Sequence, residues 1–191
     1  MDIYQPAEDS YLLQKFVRKY AFGRVLDLGT GSGIQALTAV ERKDVREVIA
    51  VDINENAIKE LKKEVSKKKI RKIAVKKSDL FSNVKDKFDT IIFNPPYLPQ
   101  DKIGNEIIED SALYGGKHGW ELSEKFFNKV NQFLVAKGKI LFLFSSLTNK
   151  EKIEEIISHN LLEFKELEKQ KLPMFETLYV SLIEKSKILK E

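Results

Sequence analysis

The 191-residue chain contains no cysteine and only two histidines, His118 and His159. Without a thiol, the protein can have no disulfide framework, no thiolate zinc site and no cysteine nucleophile. So few histidines also argue against a histidine-based metal centre or catalytic triad. We therefore expect no metal site.

Long apolar runs and a strong net charge are missing as well. The longest purely apolar runs are a few residues, such as 140–144, far below the roughly 20 residues of a membrane-spanning helix. The opening residues, MDIYQPAEDS, lack the basic and apolar regions of a signal peptide, so we expect a cytoplasmic protein without a membrane partner. The 33 Lys and Arg against 29 Asp and Glu give a net charge of +4, weaker than most dedicated nucleic-acid-binding proteins show.

What the chain has is a globular composition, 42% hydrophobic and 32% charged, at a length that suits one domain. We expect a single domain over 1–191, with an N-terminal helical lead-in at 1–22 and a core at 23–191. The apolar pattern predicts a first helix whose first turn holds Pro6 and which ends at Gly23. Further helices are predicted at 34–42, 55–66, 122–134 and 150–159, and strands at 24–28, 47–52, 73–76, 90–93, 139–144, 163–170 and 177–184.

This alternation is typical of an α/β fold, a parallel sheet with helices on both faces. Only residues 171–176 separate the last two predicted strands, which is too short for a crossover helix, so these strands should be antiparallel. The expected architecture is a seven-stranded, mostly parallel sheet that ends in an antiparallel C-terminal hairpin.

A glycine-rich turn follows the first predicted strand, with Asp27 ahead of Gly29, Gly31 and Gly33. Glycines allow a sharp turn and the close approach of a ligand, and the helix that follows offers free N–H groups. The dinucleotide-binding pattern would need a glycine at Ile34, and the Asp27 carboxylate would repel a pyrophosphate. That carboxylate would instead suit the cationic amino-acid end of S-adenosylmethionine, and at this loop the chain resembles the class I methyltransferases.

Acidic residues also follow the next two strands. Asp52 ends the second strand, where it can accept both ribose hydroxyls, and Ile53 beside it can cover an adenine. Asp79 and Leu80 follow the third strand and are placed to meet the adenine edge. Taken singly, Asp52 could be a helix cap and Asp79 a turn residue. Together, at the carboxyl ends of successive strands, they favour a cofactor site.

The fourth strand runs into Asn94, Pro95, Pro96 and Tyr97. The side-chain oxygen of Asn94 and the carbonyl of Pro95 could each accept one N–H of a planar NH2 group, on which Tyr97 could stack. Such bonds would orient the nitrogen lone pair and increase its charge, so positioning would provide most of the rate. The structural alternative is a proline-rich loop with Asn94 as a cap. The motif is similar to that of methyltransferases acting on adenine N6, cytosine N4, guanine N2 and glutamine N5, so it indicates only the type of nitrogen.

Two further segments, 4–10 (YQPAEDS) and 114–122 (YGGKHGWEL), make the chain resemble the HemK family of protein N5-glutamine methyltransferases. The resemblance covers essentially the whole chain. It is closest to the short archaeal and eukaryotic branch, which methylates the glutamine of the Gly-Gly-Gln motif in class I release factors. The resemblance implies a Rossmann-like class I methyltransferase fold, S-adenosylmethionine as cofactor and a cofactor contact at Ser10. It also implies that a small zinc-containing activator subunit can assist the enzyme.

The alternative function is an N6-adenine or other exocyclic-amine methyltransferase acting on RNA or DNA. Segment 59–77 holds ten Lys or Arg against two Glu and could bind nucleic acid, although a solvated helix and edge strand is the simpler explanation. The chain has no residues to spare for a target-recognition domain, which favours a protein substrate. A non-catalytic scaffold would have no physical need for Asp27, Asp52 and Asn94.

Overall fold

A seven-stranded sheet lies at the centre of the fold, in the spatial order β3-β2-β1-β4-β7-β9-β8. The computed structural model describes residues 2–100 and 113–187. The strands of this sheet are β1 (Gly23–Leu28), β2 (Val45–Asp52), β3 (Ile73–Lys77), β4 (Phe88–Phe93), β7 (Leu134–Ser145), β8 (Leu162–Lys171) and β9 (Thr177–Lys185). Strands β1 to β4 and β7 pair in parallel, whereas β9 is antiparallel to both β7 and β8. The predicted α/β architecture with its C-terminal hairpin is confirmed.

Five helices cover the two faces of the sheet in the described part of the chain. They are α1 (Glu8–Tyr20), α2 (Ile34–Val40), α3 (Glu55–Lys67), α4 (Glu121–Val130) and α5 (Lys150–His159). Apolar side chains of α1 and α2, with Leu61 of α3, share one buried cluster with Val25 and Leu141. Helices α4 and α5 build the other cluster against Leu26 and Phe142. Successive residues of one strand therefore enter opposite layers, which gives the buried strands their continuous apolar sequences.

Several boundaries differ from the sequence-based expectation, among them the end of α4 and the start of α1. The apolar stripe predicted as one helix over 122–134 ends at Val130, and Leu134 already belongs to β7. Phe133 and Leu134 turn away because they pair with the backbone of Phe88 on β4, and this long-range ladder overrides the local helical period. At the other end of the chain, α1 begins at Glu8 with Ala7 as its N-cap, so Pro6 precedes the helix.

A second, two-stranded sheet was not predicted. It pairs β5 (Leu98–Pro99), directly after the Asn-Pro-Pro-Tyr segment, with β6 (Tyr114–Gly116). Gly115 permits this close approach, because a Cβ atom there would lie 2.6 Å from the carbonyl oxygen of Pro96. The small sheet anchors the loop that follows β4. In the described residues, no helix is both long and apolar enough to cross a membrane.

Candidate functional site

A cavity of about 450 Å³ opens at the carboxyl ends of the parallel strands. Parallel α/β sheets bind their ligands at this edge, because the loops that leave adjacent strands diverge there. The residues predicted from the sequence that line this cavity are Ser10, Asp27, Gly29, Gly31, Asp52, Ile53, Asp79, Leu80, Asn94, Pro95 and Tyr97. Eleven positions from five separate segments thus meet in one place.

Two glycines of the glycine-rich turn, Gly31 and Gly33, have different structural roles. Gly31 has a left-handed backbone (φ +51°), and a Cβ atom built there would meet no atom within 4 Å, so the backbone presents open space to the cavity. Gly33 was predicted to bind the cofactor, but a Cβ there would lie 2.3 Å from Cδ1 of Leu61. Gly33 is therefore required by packing against α3 and by the turn into α2, for which it is the N-cap.

Asp27 is a buried carboxyl group at the floor of the cavity, only 2% exposed. Its Oδ2 atom accepts hydrogen bonds from Thr30 Oγ1 (2.5 Å) and from the Ala36 backbone N–H (3.0 Å). Burial raises the pKa of Asp27 to about 7, the nearby charge of Asp52 adds to the rise, and the two hydrogen bonds oppose it. An ionised Asp27 is thus costly in the free protein and would be stabilised by a cation in the cavity.

Asp52 holds the glycine turn against the end of β2. Its Oδ2 accepts the Gly31 N–H and its Oδ1 accepts the Asn54 N–H, both at 2.8 Å. Each carboxylate oxygen keeps a second lone pair for a ligand. Asp52 is not the N-cap of α3. That cap is Asn54, whose side chain accepts the Asn56 N–H at 2.9 Å. Ile53, beside Asp52, is 52% exposed.

Asp79, in the turn after β3, is both a turn residue and a residue of the cavity wall. Its backbone N–H donates to Ser82 Oγ at 3.0 Å, which makes it a turn residue, while its exposed side chain lines the cavity. Leu80 has a φ of +45°, which is uncommon for a residue with a large side chain. This turn carries both side chains to the cavity wall.

Asn94 is held in one orientation by Asp9, which lies in the first turn of α1. Its Nδ2 donates to Asp9 Oδ2 at 2.8 Å. Asp9 is 4% exposed, and its Oδ1 accepts from the Ser10 N–H (2.5 Å) and the Tyr4 hydroxyl (3.0 Å). Asn94 Oδ1 is buried and has no hydrogen-bond partner among the described residues. Asp9 therefore engages the NH2 group of the amide, and the acceptor oxygen is the group left without a hydrogen bond.

The charged side chains of the cavity wall are predominantly acidic. Within residues 2–100 and 113–187 they are Asp2, Asp9, Asp27, Asp52, Asp79 and Glu121, with Lys125 as the basic member. A second acceptor, Gln35 Oε1, is buried on the wall and also lacks a hydrogen-bond partner in the described part of the chain. Unpaired acceptors and carboxylates favour a ligand rich in N–H or O–H donors or positive charge. They disfavour a pyrophosphate.

Tyr97, an aromatic residue of the cavity wall, keeps its phenol neutral at working pH. Burial is the main reason that the pKa of Tyr97 lies above its ordinary value, and the negative charges of Asp9 and Glu176 add to the rise.

His118, just before α4, is half-exposed, with Nδ1 2.7 Å from Glu121 Oε1 and its ring stacked on Trp120. Trp120 packs against the core beside α4. No cluster of metal-ligating side chains was found within 2–100 and 113–187.

The basic segment 59–77 lies on α3 and β3, at the sheet edge opposite the C-terminal hairpin. Strands β2 and β1 separate β3 from β4, which leads into the Asn94 loop. Ion pairs join Lys63 to Glu60 (2.6 Å), Lys68 to Glu64 (2.8 Å) and Lys77 to Glu55 (2.6 Å). These pairs fit the solvated-face interpretation of the segment.

Comparison with known proteins matches residues 8–119 to the methyltransferase small domain. A Methanocaldococcus jannaschii protein, provisionally named a protein N5-glutamine methyltransferase, is 40% identical over 159 residues, which are 81% of this chain and 79% of that protein. The release factor glutamine methyltransferase of Streptococcus pneumoniae is 32% identical over 122 residues, 61% of this chain. The chain matches only 43% of that bacterial enzyme's length.

Among solved structures, a chain of the E. cuniculi Mtq2–Trm112 complex superposes with a TM-score of 0.74 and 26% sequence identity. The match covers 97% of this chain and 100% of that one. The complex is described as responsible for methylation of the eRF1 translation termination factor.

Proposed function

Because this chain belongs to the methyltransferase small domain family and is related to protein N5-glutamine methyltransferases, we propose that it methylates the glutamine of the Gly-Gly-Gln motif in a class I release factor. The observation that carries this proposal is Asn94 Oδ1, a buried acceptor without a partner among the described residues. Asn94 directly follows β4 and lines the acidic cavity. A primary amide supplies the N–H donors that this atom requires.

We propose S-adenosylmethionine as the cofactor, which supplies a methyl group carried on a sulfonium centre. The acidic wall suits its two positive charges, and Asp27 faces the charge of the amino-acid end. Asp52 can accept from the ribose hydroxyls through its remaining lone pairs, and Ile53 and Leu80 offer apolar surface to the adenine. Gly31 leaves room beside the backbone where a Cβ would otherwise stand.

In the proposed mechanism, two acceptors bind the target amide: the side-chain oxygen of Asn94 and the carbonyl oxygen of Pro95. Each oxygen accepts one N–H of the glutamine NH2 group, which fixes the direction of the nitrogen lone pair and raises the electron density on nitrogen. Asp9 keeps Asn94 from turning its own NH2 group toward the substrate. Tyr97 stacks as a neutral ring on the planar amide. Bound S-adenosylmethionine would supply the methyl group by breaking its sulfur–methyl bond and leaving as a neutral thioether, and the methylated nitrogen would then release one proton to solvent, so no histidine or cysteine is needed.

A protein substrate is favoured over a nucleic acid by the distribution of charge. The cavity wall is acidic, and the basic segment 59–77 is at the far edge of the sheet, where several of its lysines are paired. From the likeness to the Mtq2–Trm112 complex, we also propose that a small zinc-containing subunit raises the activity. Release factors act in translation, so the proposed site of action is the cytoplasm.

The test is transfer from methyl-labelled S-adenosylmethionine to the release factor of the protein's own source. A Gly-Gly-Gln→Gly-Gly-Ala release factor, an Asn94→Ala enzyme and a nuclease-treated sample serve as controls, each with and without the small subunit. We expect label only on the unaltered release factor with the unaltered enzyme. Label on the alanine release factor, or on RNA or DNA alone, would refute the glutamine assignment.

A further inference from the structure

The tip of the β8–β9 hairpin carries two large apolar residues, Met174 and Phe175, which are exposed to solvent and have left-handed backbone conformations. Met174 and Phe175 are 92% and 102% exposed. Both have left-handed backbones, with φ of 58° and 62°. Two consecutive left-handed residues in a hairpin turn normally call for Asn and Gly, because a large side chain disfavours this conformation. The fold gains nothing from these side chains, so their presence calls for a role outside the fold.

The tip stands beside the rim of the catalytic cavity. Its turn is closed by a hydrogen bond from the Leu172 N–H to the Glu176 carbonyl oxygen (2.8 Å), and Glu176 Oε1 accepts from Ser145 Oγ (2.7 Å). The Glu176 carboxylate is close enough to raise the pKa of both Tyr4 and Tyr97, two cavity-lining phenols, in addition to the larger effect of their burial.

A third exposed apolar side chain, Leu147, lies in a segment next to the hairpin. A short 3-10 turn, Ser146–Thr148, follows β7 and contacts both β5, next to the Asn94 loop, and β9, next to the hairpin tip. Leu147 in this turn is 44% exposed. We call the three exposed side chains Leu147, Met174 and Phe175 the apolar rim; the 3-10 turn that carries Leu147 is joined to the base of the hairpin tip by a hydrogen bond from the Thr177 N–H to Ser146 Oγ (2.9 Å).

We propose that the apolar rim docks the protein that carries the target glutamine, next to the loop that enters the cavity. This inference rests on the proposed function, because a glutamine held at Asn94 brings the rest of its protein over the cavity edge. Exposed aromatic and methionine side chains are typical anchors of protein interfaces. Lys171 and Glu176 flank the tip with opposite charges, so the tip offers no positive excess to a phosphate backbone, and the basic segment 59–77 is at the opposite sheet edge. The rim therefore fits a protein surface better than a nucleic acid.

The test uses a double variant that restores ordinary turn residues, Met174→Asn with Phe175→Gly. These residues suit left-handed backbones, so the variant should fold with an equal or higher melting temperature. Steady-state methylation of the release factor should show a KM raised about tenfold or more, as expected when an interface anchor is lost, with kcat and the Kd for S-adenosylmethionine within about twofold of the unaltered enzyme.

The matched control is Leu161→Asn. Leu161 is also exposed (43%) and left-handed (φ 56°), but it lies at the opposite end of the hairpin, beside Ser186. Its replacement should leave KM unchanged. An unchanged KM in the double variant, or an equal rise in the control, overturns the docking role and leaves the proposed function intact.

Two binding measurements separate other occupants of the rim. If the double variant loses the small activator subunit, or turns a dimer of the unaltered protein into a monomer, the rim belongs to that partner and the inference is overturned. If the unaltered enzyme places no label on the glutamine at all, the proposed function fails and the docking inference fails with it.

Discussion

Replacing Asp27 with asparagine should stabilise the ligand-free fold at neutral pH while it removes tight cofactor binding. Both hydrogen bonds to Asp27, from Thr30 Oγ1 and from the Ala36 N–H, go to the same oxygen, Oδ2. An asparagine can place its single carbonyl oxygen there and keep both bonds. Its NH2 group then replaces an acceptor with a donor on the cavity floor, which a cationic ligand would not tolerate.

The size of the effect follows from the pKa of Asp27, about 7 in the fold against an ordinary 3.8. Between these values the folded chain holds a proton that the unfolded chain has released, so the free energy of unfolding falls as pH rises. The favourable contribution is complete below about pH 4 and is lost as pH passes about 7. From about pH 5 to pH 8 the loss amounts to about 2 to 3 kcal/mol. The asparagine side chain of the Asp27→Asn variant has no charge, so the variant should lack this loss.

Urea unfolding at pH 5 and pH 8, for both proteins without ligand, measures the difference between the two pH dependences. The affinity of the unaltered protein for S-adenosylmethionine, measured by calorimetry, should also rise about tenfold from pH 6 to pH 8 as Asp27 ionises. In Asp27→Asn that rise should vanish and the affinity should be low throughout. Parallel pH dependences of stability in the two proteins would refute the buried-charge reasoning.

Four further outcomes are expected. Asn94→Ala should lower kcat by about 100-fold or more and leave the cofactor Kd within about twofold by calorimetry; near-full turnover would contradict the gripping role. Asp9→Ala should lower kcat by about tenfold, and combining it with Asn94→Ala should cost no more than Asn94→Ala alone, because the two act as a unit. Asp52→Ala should weaken the cofactor Kd by at least about tenfold; an unchanged Kd argues against the ribose contact. Replacing the exposed lysines of segment 59–77 with glutamine should leave KM for the release factor within about twofold, and a large rise would indicate a nucleic-acid-containing substrate.

The sheet could be predicted because its signals are local. Each strand from β1 to β4 contains a short apolar run that a polar or glycine residue follows, and the span between β8 and β9 is too short for a helix. The end of α4 could not be predicted, since Leu134 continues the apolar stripe and only its pairing with Phe88 assigns it to a strand. The β5–β6 pair also escaped, as two- and three-residue strands have no detectable period.

The candidate site also combines residues that could be predicted from the sequence with one residue, Asp9, that could not. Asp27, Asp52, Asp79 and Asn94 were identifiable because each lies within two residues of the carboxyl end of a strand. Asp9 was not, because an acid at the start of a helix is ordinarily explained by the helix dipole. A signal was nevertheless available: a neutral amide such as Asn94 needs something to choose between its two ends, and a buried acceptor is the usual means.

The hydrogen bond between Asp9 and Asn94 joins positions 85 residues apart in the sequence. Closing so long a loop is entropically unfavourable until the strands between them have paired. During synthesis the segment that contains Asp9 leaves the ribosome first, and Asp9 cannot bind Asn94 until β4 has been added to the sheet beside β1. The orientation of Asn94 therefore depends on the folded sheet, and a chain in which β4 has not paired with β1 has its acceptor unaligned.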